Sequence, residues 1–303
     1  REWGDDAGIE GAAAHRSALI DGISKLRQAI YEFGTDALVI WGDDQYETFK
    51  EDVIPAFTVQ IYDDLELYPW RQAQASSALV GKPNIWDEGA ETKLVVRGAP
   101  DVGRCLAEGL ISRDVDVAYA YRPLHHEGLP HAFLNTVLYL DYERKGFSYP
   151  IVPFPINCYG RRVISYKGFL SRLSDARRPD PPSPSPSRVM DVGARGFEVL
   201  AESKYRIALV ASSSWSHAFL CDKTWRLRPD TDRDRQFYQA LEGGDFAFWH
   251  QSSTEELEES GQQEMLNWFA LLGAMEHGGL SLDWSTFVAT DVYNSNKVFA
   301  IYR

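Results

Sequence analysis

Residues 206–217, Arg-Ile-Ala-Leu-Val-Ala-Ser-Ser-Ser-Trp-Ser-His, decide how this chain reads. The apolar run 206–212 has the length of a buried strand, and it opens into Ser213, Ser214, Trp215 and Ser216 before reaching His217. A strand that ends in small residues delivers its next side chains to the carboxyl edge of a sheet. Open α/β sheets place their ligand crevices there. An imidazole at such an edge can move protons or hold a metal. The plainer reading is a histidine bonded to a loop carbonyl, and it stands beside the functional one.

The same pattern occurs earlier. Residues 37–41, Ala-Leu-Val-Ile-Trp, read as a buried strand that opens into Gly42, Asp43, Asp44, Gln45 and Tyr46. Before it, Leu19, Ile23, Leu26 and Ile30 recur at helical spacing, predicting a helix over 15–33 that Gly34, Thr35 and Asp36 terminate. Further apolar runs predict strands at 57–62, 93–96, 115–120, 149–156 and 297–302. Helical patterns cover 101–111, 130–140, 189–203 and 262–275. Strands alternating with helices predict an α/β fold: one domain over 1–303, with a mixed central sheet and helices on both faces. The Pro/Ser run 181–187 favours extended backbone. It reads as a surface crossover within that domain, because regular patterning resumes at once.

Composition narrows the function. With 303 residues and 44% hydrophobic content, the chain can bury a large core, and its 13% aromatic share suits that core or an aromatic-lined pocket. A net charge of −13 argues against nucleic acid, which needs a basic stripe. Cys105, Cys158 and Cys221 are too scattered for a disulfide framework or a CxxC metal site, so reduced thiols and a cytoplasmic location are expected. No run approaches the roughly 20 apolar residues of a membrane span, and no signal peptide is visible. The absence of a Walker loop, GxGxxG and GxSxG removes most of the case for nucleotide binding or serine hydrolysis.

Six polar clusters remain, each with two readings. Asp43 and Asp44 after the first strand can ligate a cation, or can bond turn amides. His125, His126, Glu127 and His131 form a histidine-dense stretch, with His131 opening a helix and Pro130 near its first turn; adjacent histidines point apart and rarely share a site. His217 is the third. Glu264 lies beside the apolar face of a helix carrying Met265, Trp268, Phe269, Leu272 and Met275, where a helix dipole alone would tolerate it; the acidic run 255–259 before it reads as a solvated face. Arg161 and Arg162 can bind an anionic group, or pair on the surface. The turn 291–296, Asp-Val-Tyr-Asn-Ser-Asn, reads as structural.

Taken in order, these segments resemble the class III extradiol ring-cleavage dioxygenases, the family of the protocatechuate 4,5-dioxygenase catalytic subunit. The similarity rests on 38–44 with the following 49–57, on Pro130-His131-Ala132-Phe133, on 152–157, on 210–217, and on Glu264 four residues before Trp268. The resemblance implies a non-haem Fe(II) centre held by two histidines and a carboxylate, with O₂ as co-substrate and a catecholic or related aromatic diol as substrate. A facial triad leaves positions open for both. By position, Glu264 matches the carboxylate ligand and His217 the acid–base histidine. His131 matches a second pocket histidine that contacts substrate or oxygen. The family assembles as a homodimer or with a small helical partner subunit.

Two positions depart from the pattern. Gln45 stands where the family has its second histidine ligand. The family's first histidine ligand lies in a turn after an N-terminal strand, and that strand is expected upstream of Arg1. A neutral amide is a poorer Fe(II) ligand than imidazole; with Asp44 swinging in, the site would become oxygen-rich and favour Mn²⁺ or Mg²⁺. The alternative function is therefore a redox-inactive scaffold of the same type, acting as a binding subunit or a non-oxidative metal-dependent enzyme. A hydrolase or lyase using another metal at that edge is a third reading.

Overall fold

The computed structural model describes residues 2–71, 81–126, 128–165 and 178–303, and structural statements refer to these. Glu127, from the histidine-dense stretch, lies outside them. At the centre, β1 (Ala37–Gly42) is flanked in parallel by β6 (Ile151–Pro155) and β7 (Ile207–Ser212). Trp41 is level with Phe154 on one side and Ala211 on the other, and Gly42 with Pro155 and Ser212, so all three strands end at one edge. Every residue of β1 is buried, as expected for a parallel strand covered on both faces.

The two faces fill separate cores. Ala37, Val39 and Trp41 enter the larger one with side chains of α2 (Pro100–Ile111), α4 (Pro186–Ala201) and α8 (Leu266–Gly278). Leu38 and Ile40 enter the smaller one with Phe133 and Val137 of α3 (His131–Leu140), and with Leu26 and Ile30 of α1 (Ile9–Phe33). Helices α4 and α8 approach backbone to backbone. A Cβ on Gly193 would lie 1.9 Å from the Ala270 carbonyl oxygen, and one on Gly273 would lie 2.1 Å from that of Met190. The Pro/Ser run leads into this packing: the Ser185 side chain accepts the Arg188 N–H as N-cap, and Pro186 opens α4.

The α/β class holds, but the single mixed sheet does not form among the described residues. The other strands pair off as β2 (Thr58–Gln60) with β5 (Ala118–Ala120), β3 (Leu65–Leu67) with β4 (Leu94–Val96), and β8 (Leu282–Val288) with β9 (Lys297–Tyr302). The physical break lies at β7, which pairs with β1 along one edge and with no described strand along the other. Its residues are only half-buried. The chain after β7 and the chain before β9 do meet, through a bridge between His217 and Ser295 and a bond from the Trp215 N–H to the Asn296 carbonyl at 3.2 Å. Beyond that point β9 turns to α1, where the Phe299 ring covers Gly22.

Sequence patterning missed β3, β8 and three helices: α5 (Thr231–Gly243), α6 (Phe246–His250) and α7 (Thr254–Glu259). Helix α1 also starts earlier than its apolar spacing indicates, because the Asp6 carboxylate accepts the Gly8 and Glu10 N–H groups. No described helix is long and apolar enough to cross a membrane. Cys105, Cys158 and Cys221 are free.

Candidate acid–base site at the strand ends

The carboxyl edge of the three-stranded sheet gathers the side chains that matter. Because Gly42 has no side chain, the Phe133 ring can lie against the end of β1, 2.9 Å from where a Cβ would stand. The Ser212 hydroxyl, at the end of β7, donates to the Ala132 carbonyl at 2.8 Å. Together these contacts hold the start of α3, with His131 as its first residue and Pro130 as its N-cap, over the strand ends.

Glu264 arrives from a 3₁₀ turn, Gln263–Met265, that leads into α8. It is 4% exposed. One carboxylate oxygen accepts from the Gln45 side-chain amide, and the other lies 2.8 Å from Nε2 of His217. Burial alone would raise the Glu264 pKa, but the neighbouring His217 imidazole and its hydrogen bond outweigh that and leave it below the ordinary value. Lys297, at the start of β9, is depressed to about 8 by burial, partly offset by the charges of Glu264 and Asp234. Three segments distant in sequence thus converge on one buried carboxylate.

Asp43 and Asp44 have opposite fates. Asp44 accepts the backbone N–H groups of Glu47, Thr48 and Phe49 at 2.7, 2.8 and 3.0 Å, which is the structural role open to it from sequence. Here its carboxylate is committed to those amides and is not turned toward Glu264. Asp43 is wholly buried, and neither of its oxygens has a hydrogen-bond partner. Burial, reinforced by the charge of Glu264, pushes its pKa up to about 8.

His131 does not join Glu264 and His217 directly. Its Nδ1 lies 3.1 Å from a Glu47 oxygen, its backbone N–H donates to the other Glu47 oxygen at 2.8 Å, and Nε2 stands 3.8 Å from Asp43. Burial would lower its pKa; the charges of Asp43 and Glu47 reverse that and raise it to about 10. Its two acidic neighbours, Asp43 and Glu47, favour the protonated ring.

The donor set can be set against the implied iron. A facial triad takes two imidazoles and a carboxylate. Of these, the described residues supply the carboxylate Glu264, whose oxygens are occupied by Gln45 and by His217 itself. Among the described residues no three His, Cys, Asp or Glu side chains are arranged to hold a metal ion. As it stands this set does not fit a two-histidine iron centre, and the amide of Gln45 acts as a donor to Glu264 in place of a ligand.

The remaining clusters take their plainer readings. His125 pairs with Asp52 at 2.9 Å on the surface, and Nδ1 of His126 accepts the Gly128 N–H. Arg161 pairs with Glu255 and Arg162 with Asp222, so neither waits for an anion. The acidic run forms α7, capped by Ser253. One residue escaped the sequence reading: Asn294, whose side-chain amide lies 2.9 Å from Nδ1 of His217. Its signal was present in the Asn-Ser-Asn turn, but such turns form for their own backbone reasons. A concavity of about 210 Å³ lies by that turn, away from the strand ends, lined by Trp3, Ile9, Val292, Tyr293 and their neighbours. No family model matches the chain, and no curated protein is significantly similar to it.

Proposed function

We propose that the chain is an extradiol ring-cleavage dioxygenase of divergent type, acting on a catecholic or related aromatic diol with O₂. The observation that carries this reading is the convergence of Gln45, His217 and Glu264, which are 219 residues apart at their extremes, with His131 beside them at the same strand ends. In this reading the chain's own residues bind and move protons. Glu264 holds the His217 imidazole in place through Nε2, where it can act as the acid–base group on a bound diol, and His131, flanked by Asp43 and Glu47, lies beside it to meet the charge of an ionising hydroxyl.

The imidazole ligands that Fe(II) requires are not among the described residues, so no step is derived through the metal. The test is metal content and oxygen uptake of the full-length protein, purified without air and reconstituted with Fe(II). The reading expects near-stoichiometric iron and O₂ consumption with at least one diol of a catechol panel.

A second reading is favoured by one specific contact, the Gln45 amide bonded to Glu264. It makes the protein a redox-inactive scaffold that binds an aromatic ligand, or a non-oxidative enzyme. Iron that stays absent after reconstitution, with catechol binding still measurable by calorimetry, would decide for it and against the dioxygenase.

A further inference from the structure

The turn 291–296, which the sequence marks only as structural, holds the histidine of the site. The Asn294 side-chain oxygen accepts the Phe219 backbone N–H at 3.4 Å. A backbone N–H can only donate, so this bond orients the amide, and the Asn294 nitrogen faces Nδ1 of His217 at 2.9 Å. That nitrogen too can only donate. Nδ1 therefore presents a lone pair, and the ring proton resides on Nε2, directed at Glu264 at 2.8 Å.

The main chain around the contact is bound on three sides. The Ala218 N–H donates to the Asn294 carbonyl at 2.6 Å, and the His217 N–H donates to the Gly261 carbonyl at 2.8 Å. From the far side, the Glu2 carboxylate accepts the Asp291 and Val292 N–H groups at 2.6 and 2.9 Å. The ring of His217 and the amide of Asn294 are thus carried by backbone segments bonded to each other.

We propose that Asn294 is a positioning residue that fixes His217 as its Nε2–H tautomer. The consequence is chemical: Nε2 presents an N–H, directed at Glu264, not a lone pair, so in this state His217 is a hydrogen-bond donor at Nε2 and cannot ligate a metal through it. This inference rests on reading His217 as the acid–base group of the site, but its test needs neither iron nor turnover.

The experiment is long-range ¹H–¹⁵N correlation on the labelled full chain, which reports for each imidazole which nitrogen carries the proton. The chain has seven histidines, and loss of one signal set in His217→Gln assigns the ring. The wild type is expected to show a proton on Nε2 and none on Nδ1. In Asn294→Asp, which offers only acceptors, a proton is expected to appear on Nδ1. In Asn294→Gln, which retains a donor amide, the Nε2–H pattern is expected to return at least in part, whereas a merely structural loop contact would leave the tautomer the same in all three.

A wild-type ring protonated at Nδ1 overturns the proposal, as does an Asn294→Asp ring that keeps the Nε2–H pattern. Should Asn294→Asp fail to fold, the wild-type spectrum still decides. An iron-free, oxygen-silent protein with the Nε2–H tautomer would remove the dioxygenase reading and leave this one standing. Oxygen uptake with an Nδ1–H ring would do the reverse.

Discussion

Asp234 and Asp43 are both wholly buried, and they are treated in opposite ways. Behind the His217 loop, Asp234 accepts from the Ser216 N–H, the Gln262 amide and the Asn296 amide, at 3.2, 2.5 and 2.7 Å. Burial raises its pKa to about 6 even so, with those three donors working to lower it. At the strand ends Asp43 has no donor at all, and its pKa rises to about 8. The first carboxylate ties three loops together. The second is left unsatisfied beside Glu264 and His131. Native structures pair nearly all buried polar atoms, and the exceptions concentrate where chemistry or ligands are expected.

The largest effect should come from breaking the satisfied member. Asp234→Ala leaves the buried Gln262 amide and the Ser216 N–H without this acceptor and takes one of the two acceptors of the Asn296 amide, and is expected to destabilise the protein by about 2–4 kcal/mol. A urea melt at neutral pH checks it, and a loss under about 1 kcal/mol would mean that water replaces the carboxylate.

Asp43→Asn should act in the opposite direction. The folded-state pKa of Asp43 lies above its unfolded value, so its contribution is fully present below about pH 4 and is lost as the pH rises through about 8. The neutral amide removes that loss. At pH 8 the variant is expected to be more stable than the wild type by about 1–3 kcal/mol, with a flatter stability–pH curve from 4 to 8. An unchanged curve would show that Asp43 is paired in solution.

A smaller change tests the coupling between the two acids of the site. Glu264→Gln removes the like charge that raises Asp43, so the upper end of the decline in stability should move to lower pH. Urea melts across the pH range read it directly. The smallest effect is expected far from both carboxylates. His125→Ala loses an exposed pair with Asp52 and should leave the urea midpoint within experimental error.

The contrast also marks how far the sequence could be read. The buried runs at 37–41 and 206–212 announced β1 and β7, and their polar ends announced the site edge with His217 and Gln45. Glu264 was legible from its place beside an apolar helix face. Asp43 and Asp44 were not distinguishable, because one residue's advance around a turn separates three amide donors from none. Asn294 was hidden for a related reason: a turn asparagine looks the same whether it bonds its own backbone or a neighbour's imidazole. Helix α5 was missed because its apolar stripe is thin, with Phe237, Ala240 and Leu241 as its buried hydrophobics amid charged residues. Strand pairing was illegible as well, since apolar runs predict strands without saying which edges meet.

The open edge of β7 carries a colloidal consequence. Ile207, Ala208, Leu209, Val210, Ala211 and Ser212 contain no charge and no proline, which are among the devices that keep sheet edges apart. Among the described residues nothing pairs with that edge, so edge-to-edge association that grows with concentration is the expected outcome, read by light scattering. A short peptide that pairs with β7 should suppress that association.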